Sequence, residues 1–377
     1  MTDHPATRRA DRPRGRPDDE EPGREGPGRA PGLVADVVEA EAELAGGAPD
    51  PSEPPARRRR YAWLGTLASL AIFAISGVVL WTIVREVDAA ELRNAFTAAR
   101  PEQVGLALLL TAVSYLLLTG YDALALRQLR LHVRYRTTAL ASFTSYAVSF
   151  TLGFPLLTAG TVRYWIYAPA GLSTGRIAAL TVVAGLTFWL GLGAVLGWGL
   201  LREADALARL TYTNTHLLQG LGLAALATVA SYLAWVSVRR RQVRLQGWRL
   251  ELPGFRLSAA QMLVGAGDVC AAAGVLYALL PPGHGIGFEA FLAVYLMGAM
   301  LGMVSHAPGG LGVFEATILL GLSSLPREPV LGALLLFRII YYLGPFVLAL
   351  ALLGAYEIRN RIKAARGAMR ADEDAEG

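Results

Sequence analysis

Five ionisable residues lie inside long apolar stretches of this sequence: Asp122, Arg163, Asp268, Glu315 and Arg338. At membrane depth such a group costs at least about 2.5–3.5 kcal/mol, so it usually pairs with another or lines a cavity. Two interpretations stay open, namely structural pairs, such as Glu315 with Arg338, and a polar site near the middle of the membrane. Asp122 lies nearest to a basic cluster, so a local salt bridge is an equal alternative for it.

The second interpretation gives each side chain a candidate role. Arg163 and Arg338 would bind a phosphate, because guanidinium groups donate two parallel hydrogen bonds to its oxygens. Asp268 and Glu315 would bind an amine or relay protons. Tyr342 is a further candidate contact, although adjacent tyrosines in an apolar span are more often core aromatics.

Two clusters of glycine and proline interrupt the same apolar sequence. The first lies in segment 137–176 and contains Gly153, Pro155 and Gly160. The second lies in segment 288–325 and contains Pro308, Gly309, Gly310 and Gly312. In lipid, irregular backbone survives only where protein buries it or water reaches it. Broken apolar helices therefore indicate a binding site within a membrane, with a surface loop as the simpler alternative.

Composition places the chain among integral membrane proteins. Of its 377 residues 54% are apolar and only 17% are charged, and the mean hydropathy is +0.40. The net charge of +5 comes from short basic clusters beside apolar runs, which does not indicate nucleic-acid binding. Cys270 has no partner at metal-ligand spacing, and the lone Lys363 belongs to no P-loop. We predict no enzyme activity, no metal and no cofactor.

Apolar runs of about 20 residues are long enough to cross the hydrocarbon. They predict an all-α fold with six full spans: Tyr61–Val84, Val104–Ala125, Ile177–Leu201, Leu217–Val238, Ala259–Leu280 and Val330–Tyr356. Residues 1–60 are predicted to be a disordered cytoplasmic tail, 61–356 the transmembrane domain, with halves 61–201 and 217–356, and 357–377 a basic cytoplasmic tail.

Arginine clusters at 57–60, 127–136, 239–256 and 359–370 should be cytoplasmic by the positive-inside rule. Both termini would then be cytoplasmic, and the two broken segments would each enter and leave on one side, as re-entrant hairpins. Tyr146, Gly153 and Gly160 have the spacing of Tyr295, Gly302 and Gly309, which lie 149 positions later. Together with the order of the spans, this spacing predicts an inverted repeat, the plan of many transporters.

Several of these motifs resemble the flippase portion of the bacterial multiple peptide resistance factor, the lysylphosphatidylglycerol flippase/synthetase. The resemblance covers roughly residues 60–355 and is carried by the runs 120–127, 141–143, 152–160, 162–167, 171–173 and 308–315, and by Arg338 with Tyr341 and Tyr342. It implies the movement of an aminoacylated phospholipid between leaflets of the bacterial cytoplasmic membrane. The family's soluble synthetase domain follows its last span, where this chain has only about 20 residues.

We expect a lipid transporter that binds a phospholipid head group between the two hairpins. The alternative is a non-transporting accessory protein for an envelope enzyme, such as a lipid-linked glycosyltransferase. A membrane phospholipid is the expected partner and nucleic acid is not; a separate lipid-modifying enzyme and a second copy of the chain stay open as partners.

Overall fold

The computed structural model describes residues 97, 99–152, 155–211, 213–238, 242–245, 248–251, 254–305 and 308–376. The predicted tail 1–60, the predicted first span Tyr61–Val84 and Gly153 lie outside the described residues. The first half contains the helices α1 (Pro101–Gln128), α2 (Tyr135–Leu152), α3 (Pro155–Tyr167) and α4 (Thr174–Arg202), and α5 (Ala204–Thr211) lies between the halves. The second half contains α6 (Thr215–Val238), α7 (Phe255–Leu279), α8 (Phe288–Val304), a 3₁₀ turn (Pro308–Gly310), α9 (Val313–Gly321), α10 (Arg327–Phe337), a π-helix (Arg338–Leu343) and α11 (Gly344–Glu376).

Five described helices are long and apolar enough to cross a membrane: α1, α4, α6, α7 and the continuous helix over 327–362. They match five of the six predicted spans, and the prediction of an all-α polytopic membrane protein is confirmed. One local feature was not predicted. Between α6 and α7 two short antiparallel strands, β1 (Gln242–Leu245) and β2 (Trp248–Glu251), form a hairpin with Leu245 opposite Trp248.

Both predicted breaks produce helical hairpins. In the first hairpin α2 packs on α3, and in the second α8 packs on α9. The second limbs have 13 and 9 residues, which at 1.5 Å per residue gives lengths of about 20 and 14 Å. Neither limb spans the roughly 30 Å of hydrocarbon. A hairpin with so short a return limb is the geometry that a re-entrant element requires.

The two halves are related by an offset of 153 positions, not the 149 that the glycine spacing suggested. Helices α2 and α8 begin at 135 and 288, α4 and α10 begin at 174 and 327, and Pro155 and Pro308 each open the segment after the break. The glycine spacing misled because Gly160 lies inside helix α3, whereas Gly309 has a φ of +59°. With 41 glycines in the chain, a match of one tyrosine and two glycines can arise by coincidence.

The corresponding helices α1 and α7 run antiparallel along the centre of the protein. Near the start of α1, Gln103 Nε2 donates to the carbonyls of Ala278 and Leu280 at the end of α7 (2.8 and 2.7 Å). Where α1 ends, Gln128 Oε1 accepts from Gln261 Nε2 near the start of α7 (3.0 Å). Helices that correspond in the repeat therefore point in opposite directions, as an inverted repeat requires.

Helix α7 is also held tightly against α4. A Cβ atom built on Gly191 would lie 2.2 Å from the carbonyl carbon of Gly265, and one on Gly265 would lie 2.5 Å from the carbonyl oxygen of Thr187. Small residues allow this approach of two backbones, which is how membrane helices gain packing contacts. Helices α1, α4 and α7 pack together, and both hairpins pack against them.

Candidate functional site

Arg338 and Glu315 form an ion pair at the break of the second hairpin. Arg338 Nε donates to Glu315 Oε1 over 2.7 Å, and Nη2 lies 2.5 Å from the same oxygen. Arg338 Nη1 also donates to the carbonyl oxygen of Gly309 (2.5 Å). The side chains are 16% and 22% exposed, so the pair is partly accessible rather than sealed in the core. The pairing that the sequence offered as one interpretation is therefore present.

The local backbone explains why this site has glycines. Gly309, Gly310 and Gly312 have φ values of +59°, +66° and +81°, a region that residues with a Cβ rarely adopt. The chain turns sharply there, and the N–H of Gly312 donates to Glu315 Oε2 over 2.8 Å. The break thus fixes the Glu315 carboxylate, which receives a backbone N–H on one oxygen and the guanidinium on the other.

Arg338 is placed by an irregular helix. The six residues Arg338–Leu343 form a π-helix between α10 and α11, a conformation that often marks functional sites. The guanidinium carbon lies 4.8 Å from the ring centre of Tyr342 and 5.7 Å from that of Phe314. Tyr342, predicted as a contact, therefore lies directly against the arginine and stabilises its charge through a cation–π interaction.

The end of α2, in the first hairpin, lies against the break of the second hairpin at this position. A Cβ atom on Gly309 would lie 3.4 Å from the carbonyl oxygen of Phe150 and 3.7 Å from that of Thr151, near the end of α2. The Phe150 ring stacks on Tyr341, with centres 6.3 Å apart, and lies 6.5 Å from Tyr342. Residues far apart in the sequence thus surround Arg338 with the end of one hairpin and the break of the other.

Arg163, by contrast, is enclosed. Its Nη2 lies 2.7 Å from Asp122 Oδ1 and its Nε lies 3.1 Å from Asp122 Oδ2; the two side chains are 2% and 0% exposed. Tyr167 donates to the same carboxylate (3.0 Å), and the guanidinium carbon lies 4.9 Å from the Tyr146 ring centre. Asp122 does form a salt bridge, but its partner is Arg163 of the first hairpin and not an arginine of the neighbouring basic cluster.

Asp268, on α7, is 3% exposed. Its Oδ1 is 2.5 Å from Ser114 Oγ, and its Oδ2 accepts from the Tyr121 hydroxyl (2.9 Å). Ser114 Oγ is in turn 2.9 Å from the Tyr341 hydroxyl in the π-helix. Within the described part of the chain, no arginine, lysine or histidine forms an ion pair with Asp268.

The structure therefore brings together Glu315, Arg338, Tyr342 and Gly309, and it places Arg163 and Asp268 in neighbouring but separate clusters. Sequence reasoning missed Ser114 and Tyr121, whose only signal is a position on the same helix as Asp122. It also missed Phe150, for which the sequence gives no distinguishing signal. Among the described residues no group of His, Cys, Asp and Glu could hold a metal ion.

The fold and site define a polytopic α-helical membrane protein whose two broken hairpins meet around a polar centre. The chain belongs to the family described as the lysylphosphatidylglycerol synthase TM region, whose sequence profile matches residues 67–349. The resemblance seen in the motifs is thereby confirmed.

Individual relatives extend this finding. The chain is 34% identical over 253 residues to the Synechocystis sp. protein slr0712, a match that covers 66% of this chain and 78% of the relative. It is 28% identical over 293 residues to the Escherichia coli inner membrane protein YbhN, covering 76% and 87%. A Staphylococcus aureus phosphatidylglycerol lysyltransferase is 39% identical over 105 residues, but these cover 27% of this chain and only 12% of the enzyme.

Proposed function

We propose that this protein binds a phospholipid head group where its two hairpins meet and moves the lipid between the leaflets of a bacterial cytoplasmic membrane. The observation that carries the proposal is the partly exposed Arg338–Glu315 pair, which is held by irregular backbone on both sides. Membership of the family supports a phospholipid as the substrate, and similarity to an inner membrane protein supports the location in the cytoplasmic membrane.

The chemistry of the pair suits a head group that carries both charges. A phosphate could replace Glu315 on the Arg338 guanidinium, which has five N–H donors and prefers bidentate oxygen partners. The released Glu315 carboxylate could then hold an ammonium group. An exchange of partners keeps every charge compensated, so the head group does not have to cross the hydrocarbon as a bare charge.

This assignment narrows the predicted set of binding residues. We assign the phosphate to Arg338, the amine to Glu315 and ring contact to Tyr342. Arg163 is fully engaged by Asp122 in this conformation, so binding phosphate there would first require a buried pair to open, which is costly. We therefore propose that Arg163 supports the first hairpin instead.

We further propose that the protein is not an enzyme and that both termini are cytoplasmic. The match to the lysyltransferase covers a small part of that protein, which fits a role in handling lipid rather than in aminoacyl transfer. The arginine clusters at the ends of the spans support the orientation.

A leaflet-accessibility assay tests the proposal. The purified protein is reconstituted into vesicles with fluorescent-acyl analogues of phosphatidylglycerol, phosphatidylethanolamine or lysylphosphatidylglycerol, and dithionite then bleaches the outer leaflet. We expect the wild type to expose the inner-leaflet pool of at least one lipid, and Arg338→Gln and Glu315→Gln to stop this while remaining folded. Arg361→Gln, which alters an exposed pair with Glu357, is the matched control and should behave like wild type.

The double variant Glu315→Gln with Arg338→Gln separates binding from structure. If the pair only holds the fold, neutralising both residues should restore stability and transport together. A well-folded double variant that still moves lipid would refute the assignment. A wild type that moves none of the three lipids would favour the accessory role.

A further inference from the structure

Asp268 is a buried carboxyl group without a basic partner in the part of the chain that the structure describes. Ionising a carboxyl group that is 3% exposed and has no basic partner among the described residues is energetically costly. Burying the neutral carboxylic acid costs far less free energy, and the neutral form carries a proton that it can release.

The hydrogen bonds around Asp268 allow the proton to be held and passed on. The Tyr121 hydroxyl donates to Oδ2 over 2.9 Å. Ser114 Oγ lies 2.5 Å from Oδ1, so Ser114 donates to an ionised Asp268 and accepts from a neutral one. Ser114 Oγ is also within 2.9 Å of the Tyr341 hydroxyl. A neutral Asp268 can therefore donate to Ser114, which donates to Tyr341.

This chain of hydroxyls ends in the π-helix that carries Arg338. Tyr341 is three residues from Arg338, and both belong to the six-residue segment Arg338–Leu343. A π-helix contains one extra residue relative to an α-helix, so a change of register in this segment would move Arg338 and Tyr341 together. The protonation of Asp268 and the position of the Arg338–Glu315 pair can therefore affect each other through the π-helix.

The groups that face Asp268 favour the protonated, neutral acid, because none of them is a cation that could form an ion pair with the carboxylate. They are all neutral at ordinary pH: Tyr115 and Tyr121 on α1, Tyr146 on α2, Tyr295 on α8, Tyr341 in the π-helix, and Cys270 on α7 itself. Within the described residues, α4, α6 and α10, which also pack on α7, bring no ionisable side chain into hydrogen-bonding contact with Asp268.

We propose that Asp268 binds one proton, releases it during the transport cycle, and so couples lipid movement to a proton gradient. The carboxylate takes up the proton to become a neutral acid and returns it to water in another conformation, with no other bond made or broken. The coupling rests on the function proposed above, whereas the binding of a proton does not.

Infrared spectroscopy tests proton binding without any lipid assay. The wild type should show the C=O stretch of a neutral carboxylic acid, shifted in D₂O, which disappears as the pH is raised. Asp268→Asn should lose this band, and the exposed Asp205→Asn should keep it. If Asp268→Asn does not fold, Ser114→Ala retains the carboxyl group and should shift the band, since it removes a hydrogen bond. Absence of the band in the wild type at every pH would refute the proposal.

Vesicles with a pH difference test the coupling. If one proton moves with each lipid, a difference of one pH unit supports a leaflet ratio of up to about tenfold, since each pH unit is a factor of ten. The wild type should show an uneven distribution that collapses with the gradient, and Asp268→Asn should show none. An even distribution in an active wild type, or one driven by sodium at equal pH, would overturn the coupling. A wild type that moves no lipid would overturn transport and coupling, while the infrared band still decides proton binding.

Discussion

The buried pair Asp122–Arg163 gives the sharpest test of how charge stabilises this fold. Asp122→Asn would leave the Arg163 guanidinium charged, 2% exposed and without its carboxylate, with the Tyr146 ring 4.9 Å away. Breaking a buried pair on one side typically costs about 3–5 kcal/mol. A cost of that size should lower the thermal unfolding midpoint on the order of 10 °C.

The neutral double variant decides whether the stranded charge is the cause. Asp122→Asn with Arg163→Gln keeps an acceptor for the Tyr167 hydroxyl and removes both charges, so most of the lost stability should return. Arg361→Gln, at a position 62% exposed, should cost no more than about 1 kcal/mol. Samples in detergent are heated to a series of temperatures, and size-exclusion chromatography then measures the fraction of protein that remains folded. The reasoning fails if Asp122→Asn is as stable as wild type, or if the double variant is no better than the single one.

Three further predictions concern packing, strain and orientation. Gly191→Ala should destabilise the protein strongly, because its Cβ would lie 2.2 Å from the α7 backbone, whereas Gly185→Ala on the same helix meets nothing within 4 Å; thermal unfolding compares them. Gly309→Ala should cost about 1–2 kcal/mol for a side chain at positive φ, with Gly105→Ala as the unstrained control, and equal stability of the two would contradict this. A single cysteine at position 245, in a cysteine-free background, should resist impermeant reagents in intact cells, and labelling from outside would reverse the orientation.

The spans could be predicted from the sequence because the thickness of the bilayer requires about 20 consecutive apolar residues for each of them. The predicted span Ile177–Leu201 is the helix Thr174–Arg202, and Ala259–Leu280 is Phe255–Leu279. The breaks were equally predictable, because proline lacks the backbone N–H that an α-helix needs and clustered glycines beside it favour a turn. The Glu315–Arg338 pair was available as an interpretation because both residues lie in one half of the chain.

Other features depend on contacts that no local pattern encodes. Arg163 pairs with Asp122 only because α3 folds back on α2 and brings the guanidinium to the Asp122 carboxylate on α1; the sequence gives the charges but not the distance between them. The π-helix at Arg338 is followed directly by Gly344 and Pro345, and proline has no backbone N–H to continue the helical hydrogen bonds, a signal that our sequence analysis did not use. Ser114 and Tyr121 look like ordinary residues of an apolar span, and only the antiparallel packing of α7 against α1 brings them to Asp268.

The two ion pairs contain the same chemical groups and differ in what surrounds them. Asp122–Arg163 is closed in by two tyrosines and joins helices that have no irregular backbone at the charged residues. Glu315–Arg338 is partly exposed and has a left-handed turn on one side and a π-helix on the other. A pair that must exchange partners with a ligand needs both access and a backbone with more than one arrangement. Only the second pair has them among the residues described, and for that reason we assign the head group to the second hairpin and a supporting role to the first.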